Sequence, residues 1–286
     1  MTPPPEGEML RPPSPIRVGS SVLEFGRRTF IMGIINMAPD SFAGDGLNGD
    51  AGAAEARGEM FRQDGADLLD VGGRSTRPGA PPVEVDEETR RVVPTVRRLA
   101  RLGLPLSVDT TSAAVAAAAL DEGAALVNDV SALRDDPALG PLVARTGVPV
   151  VLMDREDRTG MADVIAATVA FLRQRIAAAH SLGIDESRII IDPGYGFGVT
   201  VAQNMAILRC LRDLTVLGRP ILIGTSRKGS IGKVLNLPVH ERVEGTAATV
   251  AVAIMHGADA VRVHDVRAMV RVARMTDAIA RGLQHE

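Results

Sequence analysis

A short apolar run followed by an alanine-rich segment recurs eight times along the chain. The apolar runs have the length and the β-branched content of buried strands. The segments between them place apolar residues at helical spacing, as in 87–102, 112–122, 161–182 and 241–256. The predicted strands cover residues 30–35, 67–71, 104–108, 125–127, 148–153, 188–191, 220–223 and 259–263. Strands that alternate with helices in this way pair in parallel within one sheet.

Eight strand-then-helix units in roughly 250 residues match a closed (β/α)8 barrel, the TIM barrel, in number and in size. We therefore predict an α/β chain with a single barrel domain over residues 16–286 that opens with a short β-hairpin at 16–25. Residues 1–15 are rich in proline and are expected to form a disordered tail. A doubly wound open sheet is the alternative, but it would need ligand residues on only the few strands at a switch point.

Polar residues stand at the end of nearly every predicted strand. They are Asn36, Asp70, Asp109, Asn128, Asp154, Asp192, Ser226, Lys228, Arg262 and His264. The loops that follow barrel strands converge on one face, so a barrel would place these side chains around a common mouth. A single Asp192-Pro193-Gly194 sequence would more often be a turn. The recurrence of polar ends on so many strands favours an active face.

The strand-end residues fall into two chemical groups. Asp109, Asp192 and Asn128 offer acceptors and one mixed donor and acceptor, which suits a flat heterocycle with amino and lactam edges. Arg262 and His264 leave the same face of the last strand and suit an anion with several charges. Thr76 and Arg77, after the second strand, could bind phosphate oxygens, although a plain turn explains them equally well.

Composition argues against several classes of partner. The net charge of −3, from 32 basic and 35 acidic residues, gives no electrostatic reason to expect nucleic acid or a membrane surface as a partner. No apolar run reaches the roughly 18 residues that a membrane span needs. The chain has one cysteine, Cys210, so it cannot form an intrachain disulfide, and a cytoplasmic location is expected.

Seven segments, taken together and in this order, carry a family resemblance. They read Gly-Ile-Ile-Asn36-Met-Ala-Pro-Asp-Ser-Phe, Gly-Gly-Arg-Ser-Thr-Arg77-Pro-Gly-Ala, Ser-Val-Asp109-Thr, Val-Asn128-Asp-Val-Ser, Asp192-Pro-Gly-Tyr-Gly-Phe-Gly, Ser-Arg-Lys228 and Arg262-Val-His264-Asp-Val. The chain resembles the dihydropteroate synthase family from about residue 30 to residue 266, across every predicted strand. That family condenses 6-hydroxymethyl-7,8-dihydropterin diphosphate with para-aminobenzoate in folate biosynthesis, and it releases pyrophosphate in the presence of Mg²⁺.

The resemblance implies a role for each matching residue. The pterin would be held by Asp109, Asn128, Asp192 and Lys228, and Met153 and Gly224 would also bind substrate. Asn36 would lie at the metal, and the catalytic charges at the diphosphate would be Arg77, Lys228, Arg262 and His264. Thr76, Pro78 and Phe197 would border the aminobenzoate. The resemblance also implies Mg²⁺ as cofactor, pterin diphosphate and aminobenzoate as small-molecule partners, and a homodimer.

Six positions depart from the family's usual residues, and all lie in loops around the expected site. They are Ala38 for a threonine, Arg74 for a glutamate, Asp154 for a histidine, Tyr195 for a small aliphatic residue, Gly229 for a larger residue and Ser230 for a phenylalanine. We therefore predict a divergent member with weak or lost synthase activity. A fully active synthase is the alternative. A folate-binding methyltransferase barrel ranks last, because it has no use for cationic side chains gathered at a diphosphate.

Overall fold

The computed structural model of the protein describes residues 12–39, 46–75 and 82–283. Within these ranges, eight parallel strands form one sheet in the order β8-β7-β6-β5-β4-β3-β10-β9. They are β3 (Phe30–Asn36), β4 (Leu68–Gly72), β5 (Leu106–Asp109), β6 (Leu126–Asp129), β7 (Val150–Met153), β8 (Ile189–Asp192), β9 (Leu222–Ile223) and β10 (Ala260–Val263). A separate antiparallel hairpin pairs β1 (Ile16–Val18) with β2 (Ser21–Leu23).

The two ends of the sheet meet, so the sheet closes into a barrel. Ile191 in β8 forms a parallel bridge with Ile221, the residue before β9. The Ile191 N–H also donates to the Pro220 carbonyl at 2.9 Å. This closure confirms the predicted (β/α)8 barrel with an N-terminal hairpin. The predicted strands differ from the observed ones by one or two residues at several ends, since the ladder includes Asn36, Asp109 and Asp192.

Helices follow the strands and cover the outside of the barrel. In the described residues they are α1 (Ala51–Asp64), α2 (Val85–Leu99), α3 (Ala113–Asp121), α4 (Leu139–Thr146), α5 (Val164–Ser181), α6 (Val201–Arg209), α7 (Gly229–Leu235), α8 (Val243–Met255) and α9 (Val266–Arg281). Local sequence sets where several of them begin. Thr200 and Gln203 form a capping box at α6, and Asp50 and Asp163 accept backbone N–H groups at the starts of α1 and α5. Among the described residues, no helix combines the length and the apolar character needed to cross a membrane.

The two ends of the barrel interior differ in chemistry. At the N-terminal end, inward-facing strand residues such as Met32, Leu126 and Ile190 form one apolar cluster with Ile16 and Phe25 of the hairpin region. Side chains alternate between the two faces of a strand, so the next inward positions lie two residues further along. Those positions are occupied by polar residues in several strands, among them Asp70, Asn128, Asp192 and Arg262. The hairpin therefore covers an apolar floor, and the opposite end presents polar groups.

Candidate active site

A cavity of about 430 Å³ opens at the C-terminal ends of the strands. This is the face on which barrel enzymes carry their active sites. Its walls come from strand ends and from the loops after β8 and β9. The lining residues are Ile34, Asp109, Asn128, Val130, Met153, Asp192, Tyr195, Gly196, Phe197, Gly224, Ser226, Lys228, Gly229, Val239, Arg242, Arg262 and His264.

One side of the cavity is a buried charge network around Arg262. Its Nε donates to Asp70 Oδ2 at 2.6 Å, and its Nη2 donates to Asp109 Oδ2 at 2.9 Å. Asn128 Nδ2 donates to the same Asp70 oxygen at 3.0 Å. Burial raises the pKa of Asp109 to about 7, while the nearby Arg262 guanidinium opposes this rise. The network therefore fixes one cation and the Asn128 amide in place and leaves Asp109 close to its titration point at neutral pH.

A second pair of opposite charge consists of the buried Asp192, at the end of β8, and the half-buried Lys228, in the turn after β9. Asp192 Oδ1 accepts the Gly194 N–H at 2.7 Å, a turn contact that fixes the carboxylate at the strand end. Burial raises the pKa of Asp192 to about 6, and the Gly194 N–H and Lys228 oppose this rise. Burial also lowers the pKa of Lys228 to about 8, with Asp192 opposing. The pair thus places an acceptor and a cationic donor on facing loops.

Glycine at residue 194 is required by a close backbone approach. Gly194 has φ +72°, and a Cβ there would lie 1.6 Å from the Asp154 carbonyl oxygen. Any side chain would push this turn away from the segment that follows the neighbouring strand β7, and Asp192 would move with it. The Asp192-Pro193-Gly194 turn therefore serves to position the carboxylate in the cavity.

The turn after β9 positions the residues on the third side of the cavity. Ser226 Oγ lies 2.9 Å from His264 Nδ1 and accepts the His264 backbone N–H at 3.2 Å. The next residue, Arg227, has φ +57° in the left-handed region, which is strained for a non-glycine residue. Its Nε and Nη2 donate to Asp265 at 2.9 and 2.6 Å, and its carbonyl accepts Arg242 Nη1 at 3.0 Å. These contacts hold the turn so that the next residue, Lys228, faces the cavity.

The arrangement joins two kinds of binding surface. Asp109, Asn128 and Asp192 present acceptors and an amide within one cavity, which suits the donor-rich edge of a flat heterocycle. Lys228, Arg262 and His264 lie in the same cavity and supply cationic or hydrogen-bonding groups for a substrate that carries an anion. A ligand with both features would be held at both ends.

The cavity brings together most of the site residues expected from sequence. Those that line it are Asp109, Asn128, Met153, Asp192, Phe197, Gly224, Lys228, Arg262 and His264. Asn36 ends β3, where its Oδ1 accepts the Ala38 N–H at 3.1 Å, and it is outside the cavity lining. Thr76, Arg77 and Pro78 lie outside the described residues.

Sequence reasoning gave no role to two residues that the structure makes important. Asp70, named only as a strand end, is fully buried and is a partner of both Arg262 and Asn128. Its inward position could have been found from the alternation of Leu68 and Asp70 along β4. Arg242 lines the cavity from just before α8, and no motif or spacing in the sequence indicates this.

Tyr195 and Ser230, two of the six unusual residues, fit each other. The Tyr195 ring is 1% exposed, and its hydroxyl lies 2.7 Å from Ser230 Oγ. A large residue at one position is thus matched by a small one at the other, and the Asp192 slot is not filled by the ring: Tyr195, Asp192 and Lys228 line one open cavity. The expectation that these two changes disable the loops gains no support from this contact, because each residue has the other as its partner.

Three of the other unusual residues, Asp154, Arg74 and Ala38, also make defined contacts in the structure. Asp154 is outside the cavity lining and pairs with Arg158, whose Nη2 lies 3.0 Å from Asp154 Oδ2. Arg74 Nη2 donates to Thr111 Oγ1 at 2.5 Å, and its Nε lies 3.9 Å from the buried Glu88 carboxylate. Ala38 supplies the N–H that orients Asn36. None of these contacts removes a polar group from the cavity.

Comparison with known proteins agrees with this geometry. The model of a family described as pterin binding enzymes matches residues 32–264. The dihydropteroate synthase of Bacillus subtilis (strain 168) is 42% identical over 265 residues, which cover 92% of this chain and 93% of the relative. The structure of Xanthomonas albilineans dihydropteroate synthase with 4-aminobenzoic acid has a TM-score of 0.84 at 44% identity and covers 91% of this chain and 94% of that one.

The same Xanthomonas albilineans enzyme in complex with 7,8-dihydropteroate aligns with a TM-score of 0.84 at 41% identity, covering 93% of this chain and 98% of that one. Similarity of this extent does not support the predicted loss of activity and favours the alternative of an active enzyme. The chain belongs to the dihydropteroate synthase family of pterin-binding enzymes.

Proposed function

We propose that this chain is an active dihydropteroate synthase that joins 6-hydroxymethyl-7,8-dihydropterin diphosphate to para-aminobenzoate. The observation that carries the proposal is the presence of Asp109, Asn128, Asp192 and Lys228 in the same cavity as Arg262 and His264. The structures of the Xanthomonas albilineans enzyme with 4-aminobenzoic acid and with 7,8-dihydropteroate support it. The cationic residues also favour a diphosphate substrate over the folate of a methyltransferase.

In the proposed reaction the aniline nitrogen of aminobenzoate attacks the exocyclic methylene of the pterin. A C–N bond forms, the C–O bond to the diphosphate breaks, pyrophosphate leaves and the nitrogen gives up a proton. Asp109 and Asp192 would accept hydrogen bonds from the pterin, and these bonds are strongest when the carboxyl groups are deprotonated. Lys228 and Arg262 would counter the charge that develops on the leaving group, and the rigid cavity would align the two rings.

The aminobenzoate is proposed to lie against Phe197 at the outer part of the cavity. Phe197 lines the cavity, and the Lys228 ammonium lies 4.0 Å from the centroid of its ring. An aromatic ring beside a cation offers an apolar surface and a positive charge together. Thr76 and Pro78 remain predictions from the family resemblance for the same subsite.

Mg²⁺ is proposed to enter with the diphosphate and to bind at Asn36. Mg²⁺ is usually held by one or two protein oxygens together with substrate phosphates and water. Asn36 Oδ1 fits this use, since a carbonyl oxygen has two lone pairs and the Ala38 N–H occupies one of them. Among the described residues, no group of three or more His, Cys, Asp or Glu could hold a metal ion. When bound, Mg²⁺ would neutralise charge on the diphosphate, and Arg77 would add a further cation there.

We propose a homodimer in the cytoplasm, with the outer face of α8 and α9 as the dimer contact. The two helices pack against each other and both carry exposed apolar residues, which favours an interaction surface. They are Val252 and Met255 on α8, 38% and 41% exposed, and Met275 and Ile279 on α9, each 64% exposed. Leu283, just beyond α9, is 73% exposed.

Genetic complementation tests the proposed activity in a cell. A bacterial strain that lacks its own dihydropteroate synthase needs supplied products of folate metabolism, and expression of this chain should restore growth without them. The Asp185→Asn variant, changed at an exposed carboxylate away from the cavity, should restore growth equally well. If soluble wild-type protein accumulates in the strain and growth still requires the supplement, the proposed function is wrong.

A further inference from the structure

Tyr195 is joined to the loop on the other side of the cavity by two separate contacts. Its hydroxyl lies 2.7 Å from Ser230 Oγ, and its main-chain carbonyl accepts Lys228 Nζ at 2.8 Å. The loop after β8 and the start of α7 are therefore closed into a ring that runs from Tyr195 through Ser230 and back through Lys228. Both side chains of the hydroxyl pair are buried, with Tyr195 1% and Ser230 6% exposed.

The position of Lys228 depends on this loop. Gly196 has φ +84°, and a Cβ there would lie 2.7 Å from Lys228 Cδ, so the lysine stem rests directly on the backbone of the loop. The ammonium group lies 4.0 Å from the Phe197 ring centroid. Displacement of the loop after β8 would move both the backbone acceptor and the ring that hold this ammonium.

The residue between Lys228 and Ser230 adds no restraint of its own. Gly229 has the greatest backbone freedom of any residue type, and a Cβ built there would meet no atom within 4 Å. Lys228 stands just before the first residue of α7 and has no side-chain capping bond. A contact one residue beyond Gly229 is therefore well placed to limit movement at the start of this helix.

We propose that the hydrogen bond between Tyr195 and Ser230 is a brace that positions the Lys228 ammonium for the synthase reaction. Tyr195 and Ser230 act as positioning residues, and they need no contact with substrate. The role in the reaction rests on the proposed function. The brace itself is a property of the folded chain and can be measured without turnover.

The charged groups that surround Lys228 define what a change in its position would do. Asp192 and Asp109 face it as anions and Arg262 as a cation, while burial lowers the pKa of Lys228 to about 8. Release of the brace would let the ammonium move toward water, where a lysine titrates at higher pH. Burial is the largest of these influences, so loosening should raise the pKa of Lys228 even though the ammonium would also move away from the carboxylates of Asp192 and Asp109.

The chain offers an unusually direct readout, because its only lysines are Lys228 and Lys233. Biosynthetic labelling with ¹³C,¹⁵N-lysine would give two side-chain NMR signals, which a Lys228→Arg variant assigns. Lys233 is exposed and serves as an internal reference. The variants are Tyr195→Phe, Ser230→Ala and the double variant. Ser181→Ala, which removes a hydroxyl from α5, is the matched control.

We expect the titration midpoint of Lys228 to move to higher pH in each single variant. The double variant should show a shift no larger than that of a single variant, and the midpoint of Lys233 should not change. In the synthase assay each single variant should lose about fivefold in kcat/KM, the worth of one neutral hydrogen bond, and the double variant should lose no more.

Lys228 midpoints that stay at the wild-type value would overturn the brace. Additive losses in the double variant would do the same. A wild-type chain without turnover but with shifted Lys228 midpoints would overturn the proposed function and leave the brace standing.

Discussion

Replacement of Arg262 by methionine should lower the free energy of unfolding by about 3 to 5 kcal/mol, the cost of removing one partner from a buried ion pair. Arg262 is bonded to Asp70, which is fully buried, and to Asp109, which is 5% exposed. Without the guanidinium, two carboxylates would face each other in the barrel without a cation between them. Urea unfolding followed by circular dichroism measures the loss.

The pH dependence of the stability loss distinguishes removal of the Arg262 charge from loss of side-chain packing. The pKa of Asp109 is already raised to about 7 from 3.8, and it would rise further without Arg262. A carboxyl group with a raised folded-state pKa stabilises the folded chain at low pH, and this contribution is lost as pH rises through that pKa. The Arg262→Met deficit should therefore be larger at pH 8 than at pH 6.

The Arg267→Met variant is the matched control on α9. Arg267 pairs with Asp64 at 2.7 Å, but its side chain is 71% exposed, and such surface pairs contribute about 0 to 1 kcal/mol. A loss for Arg262→Met that is as small as the loss for Arg267→Met, at both pH values, would contradict a stabilising role for the buried network.

Replacement of Asp192 by asparagine should reduce kcat/KM for the pterin diphosphate by about 10- to 150-fold, which corresponds to about 1.5 to 3 kcal/mol for a hydrogen bond to a charged group. Asparagine has the same shape, and its Oδ1 can still accept the Gly194 N–H. The second carboxylate oxygen becomes an amide that donates, and it would face the donor groups of the pterin. We therefore expect the variant to keep the turn at Gly194 but to bind the pterin poorly.

The measurement is steady-state turnover at saturating aminobenzoate, together with thermal unfolding to confirm that the variant is folded. Asp185→Asn is again the control, because asparagine caps as well as aspartate where Asp185 accepts the Ser187 N–H. A folded Asp192→Asn protein with wild-type kcat/KM would remove Asp192 from the pterin site.

The parts of the fold that sequence could predict are those set by local pattern. Alternation of apolar strands with helices, and the polar residues at strand ends, were sufficient to predict the barrel and the face that carries the cavity. The ends of strands were predicted less accurately, because they depend on which backbone N–H groups are free to bond to the neighbouring strand. The strand predicted to start at Pro220 begins at Leu222, since proline has no N–H for the ladder and the Ile221 N–H donates to Asp259 Oδ2 at 3.0 Å.

The contacts that sequence could not predict join distant segments. Asp70 and Arg262 are 192 positions apart, and nothing local to either residue shows that they pair across the barrel. Tyr195 and Ser230 each looked like a defect when considered alone, because their fit depends on two loops that meet only in the folded chain. For this reason the sequence predicted weak or lost activity, although the pocket keeps its polar groups.

The most direct test of an active synthase is steady-state release of pyrophosphate by the purified chain supplied with 6-hydroxymethyl-7,8-dihydropterin diphosphate, para-aminobenzoate and Mg²⁺. We predict continuous turnover that requires both organic substrates and yields one dihydropteroate for each pyrophosphate. Folded protein that releases no pyrophosphate, or that releases it at the same rate when aminobenzoate is omitted, would contradict the proposed condensation.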